Sequence, residues 1–129
     1  MNIQVVAAVI EDADRFFLTR RQPGGHLAGL WEFPGGKVDS NETHEAALRR
    51  EIREELDADV VVRDLVLETT YSYPERAVTL YFYRCDVLGT PRARMGQEMR
   101  WVPRAELSAI GLPPADAELI KLLTTSAAT

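Results

Sequence analysis

Apolar residues fill positions 3–10 with only Gln4 interrupting them. An alternating run would bury one face, so this β-rich stretch predicts a strand covered on both. Glu11-Asp-Ala-Asp14 reads as a turn and 15–20 as a second strand, together a hairpin. Residues 21–29 hold Pro23, Gly24, Gly25 and Gly29 and predict a loop. Leu30-Trp-Glu-Phe33 predicts a short strand stopped by Pro34-Gly-Gly36. The period then becomes helical. Thr43 is a suitable N-cap, and Leu48, Ile52 and Leu56 form an apolar stripe on a helix running to about Asp57. Strands are expected at 60–72 and 77–87, joined by the turn Tyr73-Pro-Glu-Arg76. A loop at 89–96 carries Arg92 and Arg94, and a short strand follows at 100–102. An irregular, proline-bearing stretch leads to Pro114. The last helix is expected at 115–123, with a frayed Thr/Ser/Ala tail. Strands mixed with two helices make the class α/β or α+β.

Length and composition narrow the picture. With 129 residues and no repeat or linker, the expectation is one domain, 1–129, with its own core. The apolar fraction of 46% argues against disorder. A net charge of -5 disfavours duplex nucleic acid as a partner, but leaves room for a nucleotide held by local cations and a metal. Cys85 stands alone in an apolar run, which rules out an internal disulfide and predicts a buried small hydrophobe. The first residues lack the basic start of a signal peptide, and no apolar run approaches about 18 residues. A soluble, cytoplasmic monomer with no membrane partner is expected.

The chemistry concentrates in the first helix. Glu51, Glu54 and Glu55 stand at i, i+3 and i+4, and about 100° per residue gathers them toward one side. Glu55 lies within about 20° of Leu48 on the wheel, so it flanks the buried face. Like charges at this spacing repel by a few tenths of a kcal/mol per pair, which a cation would relieve. Oxygen-only ligands point to a hard ion, Mg²⁺ or Mn²⁺. Taken alone, a Glu/Arg-rich helix is most often a solvated face. The Phe33-Pro-Gly-Gly36 entry and the fixed spacing weigh against that here.

Gly36, Glu42, Arg50, Glu51, Ile52, Glu54 and Glu55 match the pattern G-x5-E-x7-R-E-U-x-E-E-x-G-U, where U is a bulky aliphatic residue. The chain thereby resembles the Nudix hydrolase superfamily. Asp57 and Ala58 depart from the final glycine and aliphatic residue. The glycine ends the helix in a left-handed conformation, which Asp tolerates better than most residues. Thr19-Arg-Arg21, Trp31-Glu-Phe-Pro-Gly-Gly-Lys37, Tyr73-Pro-Glu-Arg76, Trp101 and Leu112-Pro-Pro-Ala-Asp116 extend the resemblance to MutT-like members over nearly the whole chain.

That resemblance implies an α/β/α sandwich with a mixed sheet and the Nudix loop-helix-loop. It also implies Mg²⁺-dependent hydrolysis of a nucleoside triphosphate to monophosphate and pyrophosphate. It makes Glu51, Glu54, Glu55 and the Gly35 carbonyl metal ligands, with Glu51 or Glu55 as general base and Arg50 orienting a glutamate. Arg21 and Lys37 become phosphate ligands, and Phe33, Tyr73, Arg76 and Asp116 base or sugar contacts. Relatives often carry a carboxylate six residues before the Trp101 position. Met95 stands there in this chain, and Glu98 is the nearest replacement as a metal ligand. Trp31 and Trp101 are expected in the core, and His26 and His44 outside the chemistry.

Three functions remain open. An 8-oxo-dGTP diphosphatase follows from the whole-chain resemblance. An ionised Asp116 only accepts hydrogen bonds, which suits the cytosine amino group and a (d)CTP pyrophosphohydrolase. A catalytically silent nucleotide-binding module is the third, against which the three self-repelling carboxylates argue. ADP-ribose hydrolysis ranks low, because Pro74 does not discriminate it from the others.

Overall fold

The computed structural model describes residues 2–24 and 28–125. His26 and the tail 126–129 lie outside them. Seven strands and two helices follow in the order β1 (Asn2–Asp12), β2 (Arg15–Arg20), β3 (Trp31–Glu32), β4 (Gly35–Lys37), α1 (His44–Leu56), β5 (Asp59–Tyr73), β6 (Arg76–Leu88), β7 (Met99–Pro103) and α2 (Ala117–Thr125). Single 3₁₀ turns occupy Arg104–Glu106 and Pro114–Asp116.

β1 is the hub. One edge pairs in parallel with β6 from Asn2↔Ala77 to Ile10↔Cys85, and β6 continues antiparallel into β5. The other edge is shared: β4 pairs with Val5 to Ala7, and β2 takes Glu11 and Asp12. β2 then pairs antiparallel with β3 and β7. The sheet is therefore mixed, with a helix against each face, as the α/β/α sandwich requires.

The apolar run of β1 is covered on both faces from Val6 to Ile10. Val6, Ala8 and Ile10 pack with Leu48, Ile52 and Leu56 of α1, Val60 and Cys85. Ala7 and Val9 face the opposite core of Phe16, Leu18, Phe33, Phe82, Leu119 and Leu123. The strand period of two divides one sequence between two cores. Cys85 is buried as expected, and burial pushes its thiol up to about 12.

α1 begins where its cap predicts. Thr43 accepts the Ala46 N–H through Oγ1 at 3.1 Å. It ends at Asp57, whose φ of 51° and ψ of 42° are left-handed, with its N–H bonded to the Arg53 carbonyl. The departure from glycine is absorbed without losing the helix end. The first hairpin closes on Ala13 and Asp14, both at positive φ, matching the twist of the flanking strands.

Three expectations need correction. Gly35, Gly36 and Lys37 do not merely stop a strand. They form β4, closed by Ala8 N–H to Pro34 O at 2.8 Å and Val38 N–H to Gln4 O at 3.0 Å. A Cβ on Gly35 would overlap the Val6 carbonyl and lie 2.8 Å from the Ala7 Cα, so glycine is required by close approach of backbones. The last helix starts at Ala117, because Pro114 to Asp116 form a 3₁₀ turn. Trp31 and Trp101 are half-buried at the margins of the two cores. Trp101 packs edge-on against Phe17 at 5.3 Å, and Arg20 lies over Trp31.

Candidate active site

Arg50 organises the carboxylates of α1. Its Nε and Nη2 donate to the two oxygens of Glu42 at 2.8 and 2.9 Å, a bidentate pair. Nη1 reaches Glu51 at 3.0 Å and Glu54 at 3.2 Å, and Nη2 also donates to the Lys37 carbonyl at 3.0 Å. One guanidinium thus ties the end of the β4–α1 loop, β4 and the helix together. Its bonds hold the Glu42 carboxyl down at about 2, helped by the Asp39 amide. The expected pairing of Arg50 with one of Glu51, Glu54 and Glu55 is present with the first two.

Glu51 is half-buried against β4. A Cβ on Gly36 would overlap its carboxylate and stand 2.8 Å from Oε1. Burial raises the Glu51 pKa, with the Arg50 bond opposing. Glu55 is raised further, to about 8, first by burial and then by the charges of Glu32 and Glu51, with Arg21 opposing. Glu54 is largely exposed.

The donor set is all oxygen. Carboxylates that disfavour one another's ionisation suit a hard divalent cation, which lets them ionise together. Among the described residues no three His, Cys, Asp or Glu groups already converge as a closed cluster. Arg50 instead holds Glu51 and Glu54. Glu98 is not drawn to them: its carboxylate pairs with Arg20 at 2.9 Å and is exposed.

Beside the Gly35–Gly36 strand opens a cavity of about 220 Å³. Its lining includes Arg21, Glu32, Phe33, Gly35, Gly36, Lys37, Tyr73, Arg76 and Asp116, with an apolar wall from Val5, Val78, Leu80 and Phe82. All six residues expected to hold phosphate, base or sugar therefore share one space. The hairpin register Tyr73↔Arg76 brings that pair to it. Arg21 forms an ion pair with Glu32 at 3.1 Å. Asp116 is 5% exposed, and its carboxyl is pushed up to about 7 by burial, then by Glu32, against the pull of Arg21.

Two residues of this region have no counterpart in the sequence reading. Glu32 lines the cavity, and its charge acts on both Glu55 and Asp116. Its signal was the apolar neighbours Trp31 and Phe33 on a short strand, which bring a carboxylate toward the core. Gln97 is 7% exposed and donates to the Glu55 carbonyl at 3.0 Å. A neutral amide in a loop gives no comparable sign. His44 lies outside the cavity lining, with Nδ1 2.7 Å from the Tyr83 hydroxyl and its ring over Tyr81.

Comparison with known proteins gives a consistent result. The NUDIX domain family profile matches residues 5–122. The chain is 40% identical over 123 residues to an 8-oxo-dGTP diphosphatase of Haemophilus influenzae, covering 94% of this chain and 90% of that protein. It is 37% identical over 120 residues to the CTP pyrophosphohydrolase of Escherichia coli, covering 92% and 89%. The solution structure of the E. coli ORF135 protein superposes with a TM-score of 0.82 at 37% identity, covering 98% of this chain and 89% of that one.

Proposed function

The chain belongs to the NUDIX domain family, and from that premise we propose that it is a MutT-like nucleoside triphosphate pyrophosphohydrolase. It hydrolyses 8-oxo-dGTP or a related nucleotide to the monophosphate and pyrophosphate with Mg²⁺ or Mn²⁺, and so cleanses the nucleotide pool. One juxtaposition carries the reading. The glycine strand packed against Glu51 also lines the cavity that holds Arg21, Lys37, Phe33, Tyr73, Arg76 and Asp116. Phosphate chemistry and base recognition therefore share one short strand.

A divalent cation held by Glu51, Glu54, Glu55 and the Gly35 carbonyl would bind phosphate oxygens, acidify the attacking water and neutralise developing charge. Glu98 joins that set only by exchanging its Arg20 partner. Glu51 or Glu55 takes the proton from water. Arg50 fixes Glu51 through a 3.0 Å bond while Glu42 anchors Arg50. Lys37 and Arg21 bind phosphate oxygens. Phe33 and Tyr73 offer faces to the base, and Asp116 and Arg76 offer polar edges.

Asp116 favours a second reading. Ionised, it matches the cytosine amino group, and a (d)CTP or modified cytidine triphosphate becomes the substrate. The deciding assay is pyrophosphate release with Mg²⁺ from dGTP, 8-oxo-dGTP, dCTP, 5-methyl-dCTP and ADP-ribose, ranked by kcat/KM. Preference for 8-oxo-dGTP supports the main reading, and preference for cytidine nucleotides supports the second. Retained nucleotide affinity without turnover would instead indicate a binding module.

A further inference from the structure

The loop between β6 and β7 closes back on the end of α1. The Arg92 N–H donates to the Leu56 carbonyl at 2.7 Å, and the Arg94 N–H to the Glu55 carbonyl at 3.1 Å. Gln97 completes the contact. Its Nε2 donates to the same Glu55 carbonyl at 3.0 Å, and its Oε1 accepts the Met95 N–H at 3.0 Å. The last carbonyls of a helix have no partner within it. Here a loop distant in sequence supplies three donors to two of them.

Gln97 is the only side chain among those donors. It is also one of four buried polar or charged residues among those described, the others being Thr19, Thr79 and Asp116. A buried amide is retained where both its donor and its acceptor are used, as they are here. The Gln22 side chain donates to the Met95 carbonyl, so the loop following β2 is tied to the same clamp. Asp57 in a left-handed conformation ends the helix without glycine, and the clamp braces that turn from outside.

We propose that Gln97 is a positioning residue for hydrolysis. By fixing the Glu55 carbonyl it sets where the final turn of α1 holds the Glu55 side chain. The inference rests on the role given to Glu55 above. Gln97 is absent from the cavity lining, so it acts on the turnover step through α1 and not on nucleotide binding.

The test compares Gln97→Met, which keeps length but loses both hydrogen bonds, with Gln97→Glu, which keeps the acceptor and loses the donor. Misplacing a reacting group by about 1 Å can cost about a hundredfold in rate. The expected result is a fall in kcat of about tenfold to a hundredfold in both variants, with KM within about twofold of wild type. Wild-type kcat in either variant, or a change confined to KM, overturns the proposal.

Amide hydrogen exchange on the wild-type protein provides a readout independent of folding in the variants. The Arg92 and Arg94 amides should exchange as slowly as those in the last turn of α1. Exchange at the rate of an open loop overturns the clamp. If the wild type hydrolyses no nucleoside triphosphate, the functional reading fails on that assay alone. The exchange result then still judges the clamp.

Discussion

Gly36 and Glu51 are in such close contact that a single methyl group on the glycine would occupy the space of the Glu51 carboxylate. The obstructing atoms are the far end of a flexible side chain, so the fold can yield by turning Glu51 aside. Gly36→Ala should therefore separate activity from stability. Its kcat/KM should fall by about a hundredfold while the melting temperature stays within a few degrees. Steady-state kinetics beside a thermal melt reads both. A large loss of stability would mean that the backbone, and not Glu51, bears the strain.

Removing charge at the carboxylates should have the opposite balance to a core mutation. Glu51→Gln and Glu55→Gln each remove the charge and one carboxylate oxygen of a proposed metal ligand without removing packing volume. We expect kcat to fall by roughly two to four orders of magnitude, in line with losing a general base or a ligand. The folded state should be retained, because burial already disfavours the ionised form of both residues. Chelation of the divalent cation should abolish wild-type turnover reversibly. An equal loss of folding in the two variants would point to a structural role for α1.

How much of this was legible beforehand depended on where the information sits along the chain. The limits of α1 were readable because Thr43, the Leu48/Ile52/Leu56 stripe and Asp57 are all local signals. β1 was readable because a continuous apolar run on a strand has one explanation. β4 was not, since Gly-Gly-Lys has no strand propensity and forms only because Val5 to Ala7 lie beside it. Glu32 and Gln97 escaped for a related reason. Their importance comes from partners far away in sequence, Asp116 and Glu55: the apolar neighbours of Glu32 signal its burial but not that partner, and a neutral amide in a loop signals neither.

The pair formed by Arg50 and Glu42 predicts acid sensitivity. Glu42 titrates at about 2 in the folded protein against an ordinary 4.5, chiefly through the Arg50 hydrogen bonds. A depressed carboxyl stabilises the fold at pH values above its unfolded pKa, and that contribution disappears as pH falls through the folded one. Wild type should accordingly be more stable than Glu42→Gln at about pH 6, and the gap should close as pH approaches about 2. Denaturant melts of the two proteins across this range measure it. A gap independent of pH would show that the pair's ionisation contributes nothing.

Asp116 titrates in the other direction, and this connects stability with specificity. Its carboxyl is raised from 3.8 to about 7, first by burial and then by the Glu32 charge. The folded state therefore binds this proton more tightly than the unfolded chain. The resulting stabilisation is complete below about 3.8 and is lost as pH rises through about 7, with a slope of at most about 1.4 kcal/mol per unit. Asp116→Asn should remove this slope. The base reading should change over the same interval. A protonated carboxyl offers one donor and one acceptor, as an amide does, and can meet O6 and N7–H of 8-oxoguanine together. Once ionised it can only accept, which leaves O6 opposed and favours the cytosine amino group. The ratio of kcat/KM for 8-oxo-dGTP to that for dCTP should thus fall as pH rises through 7 in wild type. In Asp116→Asn the ratio should be high and flat. Using a ratio is essential, because any pH effect on the hydrolytic groups shared by both nucleotides cancels. A wild-type ratio that does not move between about pH 6 and pH 8.5 would mean that Asp116 does not read the base.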